Sequence, residues 1–159
     1  MFNKNEIIIR CIENIKKGEE LTISYVEFAS TSENRNEILK SQYNFECFCE
    51  KCKLKLNDDL LGGTICSQCD SILNKEYFCQ KCEKKENEKN LQSLFFKSIE
   101  LSGNLEYEKS YEIQKKILSP FHENIFQTLY FLTKKSLDLQ EFQNAIIYLN
   151  LSLPIYESI

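Results

Sequence analysis

Two periodicities divide the chain. Up to about residue 28 the apolar positions run in short β-branched stretches or alternate, and beyond about residue 87 they recur at helical spacing. Glu6-Ile7-Ile8-Ile9-Arg10-Cys11-Ile12 and Leu21-Thr22-Ile23-Ser24-Tyr25-Val26 are predicted strands, with Lys16-Lys17-Gly18-Glu19 as the turn between them. Ile7, Ile9 and Cys11 would share one face, and Leu21, Ile23 and Tyr25 another. Residues 31–43 suit a helix capped by Thr31 or Ser32, with Arg35, Ile38, Leu39 and Gln42 at helical spacing. Four further stripes follow. Leu91, Leu94, Phe95 and Ile99 close at Gly103-Asn104, and Tyr107, Tyr111, Ile117 and Leu118 end at Ser119-Pro120. Ile125, Phe126, Leu129, Tyr130 and Leu137 form a third stripe. Phe142, Ala145, Ile146, Leu149 and Leu153 form a fourth, with Pro154 kinking or ending its helix. The short link at Leu139-Gln140 makes the last two an antiparallel hairpin.

Between the two regimes the pattern fails. Cys47 to Cys82 is punctuated by cysteine and by turn residues such as Gly62-Gly63, with too few large apolar side chains to hold a shape without metal. The chain has 159 residues, 42% hydrophobic and 28% charged, which fits an ordered globular chain. No apolar run is long enough to span a membrane, and Met1-Phe2-Asn3-Lys4 is unlike a secretory signal. A net charge of −4 argues against a general nucleic-acid-binding surface. Only Arg10 and Arg35 are arginines, which further weakens bidentate phosphate or base readout. A zinc ribbon contacting nucleic acid through Lys51, Lys53, Lys55, Lys81, Lys84 and Lys85 is a weaker reading than a solvated face. The eight cysteines, without a secretory context, point to thiolate metal sites and an intracellular setting, cytoplasmic or nuclear.

Cys66-x-x-Cys69 and Cys79-x-x-Cys82 form a complete two-knuckle set for one tetrahedral Zn²⁺, closed and structural. Residues 71–78 would form the hairpin between the knuckles. Lys75, Lys81, Lys84 and Lys85 are placed to offset a formal charge of about −2. Cys47-x-Cys49-x-x-Cys52 supplies three donors where a structural zinc wants four. Within the chain the candidates for a fourth are Cys11 and His122. Cys11 reads better as a buried small hydrophobe. His122, after Pro120-Phe121 at a helix start, reads better as a solvent-facing residue. A ligand from outside these residues remains.

The ordered string Gly18-Glu19-Glu20-Leu21-Thr22-Ile23-Ser24-Tyr25, then Arg35-x-x-x-Leu39-x-x-x-Tyr43-x-Phe45-x-Cys47-x-Cys49-x-x-Cys52, resembles the end of a SET domain and its post-SET segment. It is similar to that junction in the SET and MYND-type protein-lysine methyltransferases. Cys66–Cys82 and the helices after it resemble the additional cysteine module and tetratricopeptide-like array of some members. Leu139-Gln140-Glu141-Phe142-x-x-Ala145 is similar to an interhelix turn of such an array.

The resemblance implies an α+β chain in three parts. Residues 1–45 would be the C-terminal part of a SET domain, 46–86 a post-SET and zinc-ribbon-like segment, and 87–159 a tetratricopeptide-like helical region. It implies Tyr25 as the catalytic tyrosine, Tyr43 as an aromatic lining the substrate lysine channel, and Phe45 as the ring stacked on the adenine of S-adenosylmethionine. Cys47, Cys49 and Cys52 would be zinc ligands, joined in the family by a cysteine from an upstream N-H-S-C segment. Substrates would be histone or other protein lysines. The G-x-G cofactor segment, N-H-S-C and the MYND module are not found in these residues, so the chain is expected to be truncated relative to the family and inactive alone. A competing reading is a non-enzymatic zinc-and-helix module whose helices bind a peptide or protein. Core packing is the ordinary alternative for Tyr25, Tyr43 and Phe45 among eight tyrosines and eleven phenylalanines.

Overall fold

A computed structural model describes residues 2–3, 6–7, 10–11, 14–21 and 23–157. The architecture is mostly helical, with a minimal sheet and a cysteine-rich segment between the first helix and the last four. Strands β1 (Phe2–Asn3) and β2 (Glu6–Ile7) pair antiparallel, Phe2 opposite Ile7 and Asn3 opposite Glu6. Of the expected first strand, Ile8, Ile9 and Ile12 lie outside the described residues, as does Thr22 of the second. Two expectations need correction. The described part of residues 21–26 forms no strand, and Leu21 and Ile23 are 73% and 70% exposed. Alternation gives a strand one apolar face, but a ladder partner must fix it, and none pairs with it among the described residues. Cys11 is exposed rather than buried.

Helix α1 (Ser32–Tyr43) begins where the capping signal placed it, the Thr31 hydroxyl accepting from the Asn34 N–H at 3.3 Å. Arg35 and Leu39 form its buried stripe. Two short helices absent from the periodicity follow, α2 (Glu50–Leu54) and α3 (Asp58–Leu61). Asp58 Oδ1 accepts from both the N–H and the hydroxyl of Ser32 at 2.9 Å, tying α3 to the start of α1. Glu123 Oε2 accepts from Thr31 N–H at 2.9 Å, which ties α1 to the helical region as well.

The four stripes fall in α4 (Glu88–Gly103), α5 (Tyr107–Ile117), α6 (Glu123–Asp138) and α7 (Phe142–Glu157), each helix packed on the next, though α7 buries Ala145, Ser152 and Ile155 and leaves the rest of its stripe exposed. Pro154 lies inside α7 and does not end it. Ser110 donates to the Ser98 carbonyl at 2.8 Å, so small residues let α4 and α5 approach closely. The cysteine-rich segment shares the helices' core. Cys66 and Cys79 are fully buried with Leu73 against Leu91, Ile117, Leu118, Ile125 and Leu129, and Ala29 joins them. Backbone bonds from Ile65 N–H to Ile117 O and from Ser119 N–H to Gly63 O, both 2.9 Å, stitch the seam. The apolar support missing from residues 63–82 therefore comes from α4 to α6. No helix among the described residues is long and apolar enough to cross a membrane.

Candidate functional site

Three side-chain groups are candidates for chemistry. The first is Cys66, Cys69, Cys79 and Cys82, whose sulfurs all lie within 4.8 Å of one another. The contacts Cys66–Cys82, Cys69–Cys79 and Cys69–Cys82 measure 3.5, 3.4 and 3.6 Å. Four sulfurs bound at ~2.3 Å to a tetrahedral zinc would sit ~3.8 Å apart, so the cradle fits that ion and is far too wide for disulfides at ~2.05 Å. The residues after the second cysteine of each knuckle, Asp70 and Glu83, have φ of 57° and 60°. That left-handed step turns each chain end back, and the Cys66 and Cys79 N–H groups bond the carbonyls of Ser71 and Lys84. Hydrogen bonds from Ser71 bring the Cys69 thiol down to about 6. The Lys84 N–H favours the Cys82 thiolate, yet desolvation and the three neighbouring sulfurs push it up to about 12. A divalent cation among the four sulfurs would offset their mutual repulsion as thiolates. Of the four expected counter-charges, Lys84 feels the charge of Cys66 and Cys82 while paired with Glu86 at 3.1 Å. Lys85 instead donates to the Glu76 carbonyl.

The second group is Cys47, Cys49 and Cys52, also within 4.8 Å of one another. Helix α1 holds it from beneath: Asn36 Oδ1 accepts the Cys47 N–H at 2.7 Å, and the Ser32 hydroxyl bonds the Lys51 carbonyl at 3.4 Å. Burial opposes the Cys49 thiolate, but the Cys52 N–H and the adjoining sulfurs outweigh it and lower its pKa. Burial pushes Cys52 up although the Arg35 guanidinium draws it down. Three soft donors fit zinc and leave one position for a further ligand. Among the described residues, neither Cys11 nor His122 joins either cluster. His122 is 5% exposed, which corrects its solvent-facing reading. It caps α6, its Nδ1 accepting from the Asn124 N–H at 3.1 Å, and burial pulls its pKa down to about 4.

The third group is aromatic. The Tyr25 ring meets Tyr43 and Phe45 edge-on, with centroids 5.1 and 5.6 Å away. Tyr43 ends α1, and Asn44 at φ 57° reverses the chain so that Phe45 returns beside it. The rings are 53%, 45% and 40% exposed, so they form an open aromatic wall and not a packed core. Sequence reasoning brought forward all three rings and all seven clustered cysteines. It missed Asn36, Ser71 and Glu123 and named Lys51 only as a possible nucleic-acid contact, because their contacts span turns or distant elements and leave no local signal.

No protein-family model matches the chain. It is 51% identical over 57 residues to human histone-lysine N-methyltransferase SMYD1, covering 36% of this chain and 12% of that protein. Human histone-lysine N-methyltransferase SMYD3 is 42% identical over 64 residues, 40% of this chain and 15% of its own. Histone-lysine N-methyltransferase ASHR1 of Arabidopsis thaliana is 29% identical over 186 aligned residues, covering the whole of this chain and 39% of its own. The likeness is to the SET and MYND-type lysine methyltransferases. The chain spans well under half the length of each of these three methyltransferases. The resemblance drawn from the Gly18–Cys52 string thus stands on the comparisons and on two thiolate clusters together.

Proposed function

We propose that residues 1–159 form part of an S-adenosylmethionine-dependent protein-lysine N-methyltransferase, acting on histone or other protein lysines inside the cell. One observation carries the reading: the Tyr25 ring touches both Tyr43 and Phe45, all three stay half open, and Phe45 lies two residues from a thiolate trio. In this reading residues 1–45 are SET-derived, 46–86 are post-SET and zinc-ribbon-like, and 87–159 are a tetratricopeptide-like array. Cys47, Cys49 and Cys52 would hold one zinc and Cys66, Cys69, Cys79 and Cys82 another, both structural. S-adenosylmethionine, when bound, supplies a methyl group on a cationic sulfonium. Phe45 would hold the adenine by stacking. Tyr43 walls the lysine channel, where desolvation disfavours the ammonium and leaves a neutral amine to react. Tyr25 sets its hydroxyl beside the amine and aligns it for in-line displacement. Aromatic faces also favour the positive charge on donor and methylated product.

Methyl transfer to protein lysine by the longest natural polypeptide containing these residues tests the proposal. Tyr25→Phe is expected to lower kcat by about 100-fold or more while leaving cofactor binding within a few-fold. Unchanged kcat would remove Tyr25 from the chemistry. A second reading, an interaction module, draws on α7, where Phe142, Ile146, Leu149 and Leu153 are all exposed at helical spacing. Such a module would bind protein without binding S-adenosylmethionine.

A further inference from the structure

Two cations on the metal side of α1 reach back to the strip of backbone that carries Tyr25. Arg35, 7% exposed, donates from Nη1 to the Glu27 carbonyl at 3.0 Å. Lys51, between Cys49 and Cys52, donates from Nζ to the Phe28 carbonyl at 2.7 Å. These carbonyls are consecutive and lie two and three residues beyond Tyr25. The same two side chains face the sulfurs: Arg35 acts on Cys49 and Cys52, and Lys51 is drawn by both. Arg35 Nε is buried without a hydrogen-bond partner among the described residues, so the guanidinium is fixed by one carbonyl and by nearby thiolate charge.

We infer that Arg35 and Lys51 are positioning residues that couple occupancy of the Cys47/Cys49/Cys52 cluster to the placement of Tyr25. The inference rests on the proposed metal and aromatic roles. A loaded cluster carries net negative charge, which holds both cations in place, and each cation then pins one carbonyl of the 27–28 strip. Without the metal charge pattern the cations lose their anchor, and Tyr25 slips relative to Tyr43 and Phe45. Lysine in place of Arg35 would lose the planar fork that serves carbonyl and sulfur together.

The full chain, zinc-loaded and labelled with 3-fluorotyrosine, provides the test. The Tyr25 resonance is assigned by its loss in Tyr25→Phe, and the tyrosines of α5 to α7 serve as the folding control. Lys51→Met and Arg35→Gln are expected to shift or broaden Tyr25, with its ring neighbour Tyr43, while the tyrosines of α5 to α7 stay in place, and Lys51→Arg to restore it. Zinc transfer from the trio to a chromophoric chelator should quicken by about 10-fold or more in both variants. If buried Arg35 proves intolerant of Gln, Lys51→Met alone carries the test. A Tyr25 resonance unmoved by Lys51→Met overturns the coupling. Failure of the underlying reading looks different: Cys52→Ser would leave zinc content unchanged.

Discussion

The two cysteine clusters use the same donor atom in opposite settings. Cys66, Cys69, Cys79 and Cys82 bring four sulfurs from paired knuckles, two of them fully buried in the common core. Cys47, Cys49 and Cys52 bring three, on a short segment laid over α1 and bordered by a half-exposed aromatic wall. The closed set is surrounded by leucine and isoleucine. The open set lies beside Arg35 and Lys51, which also bind the Glu27 and Phe28 carbonyls. In the proposed reading the closed zinc site maintains the core, and the open one supports the aromatic surface beside it.

The largest test of this contrast removes one sulfur from each cluster. Cys79→Ser should unfold the 62–86 segment and loosen the helical core, because structural zinc binding on the order of 10 kcal/mol is folding energy. Cys52→Ser should leave the thermal transition nearly unchanged while lowering zinc content, as read by calorimetry and elemental analysis. Equal destabilisation by both would erase the distinction. Next comes the seam that docks the closed set. A Cβ at Gly63 would stand 2.1 Å from the Asp59 carbonyl oxygen and 3.1 Å from Ile72. Gly63→Ala is therefore expected to cost roughly 3 kcal/mol in denaturant unfolding. It should do so without speeding zinc release from the trio.

Acid sharpens the comparison from the helical side. His122 has its pKa lowered to about 4 by burial, against about 6.5 when unfolded. The unfolded chain therefore takes up the proton first, and stability is lost as pH falls from about 6.5 to about 4. His122→Asn keeps a capping oxygen and removes that titration. Between pH 6.5 and 4.5 it should lose about 2 kcal/mol less than the parent chain, which cancels metal effects common to both. Equal losses would refute a neutral buried His122. The smallest effect is at the knuckle turn, where Glu83 sits at φ 60°. Glu83→Gly should raise stability by about 0.5–1 kcal/mol, visible as a higher urea midpoint.

Helix α1 and the four later helices were legible because helical periodicity and caps are local: Thr31 caps α1, and Gly103-Asn104 closes α4. The cysteine quartet was legible because two knuckles state their own geometry. The region at 21–26 was not, since alternation specifies a face but no partner. His122 misled because a polar residue at a helix start ordinarily faces water, whereas here the ring lies 6.1 Å from Phe95 and its nitrogen serves the cap. Arg35 was visible as a helical position, but its carbonyl partner lies eight residues upstream, across a turn that spacing does not reveal.

Equilibrium binding of S-adenosylmethionine to the longest natural polypeptide containing these residues bears most directly on the open cluster. Saturable binding is expected in the parent and should weaken by about 10-fold or more in both Phe45→Ala and Cys52→Ser, since ring and metal support form one wall. Binding that is absent in the parent, or indifferent to both substitutions, would contradict it.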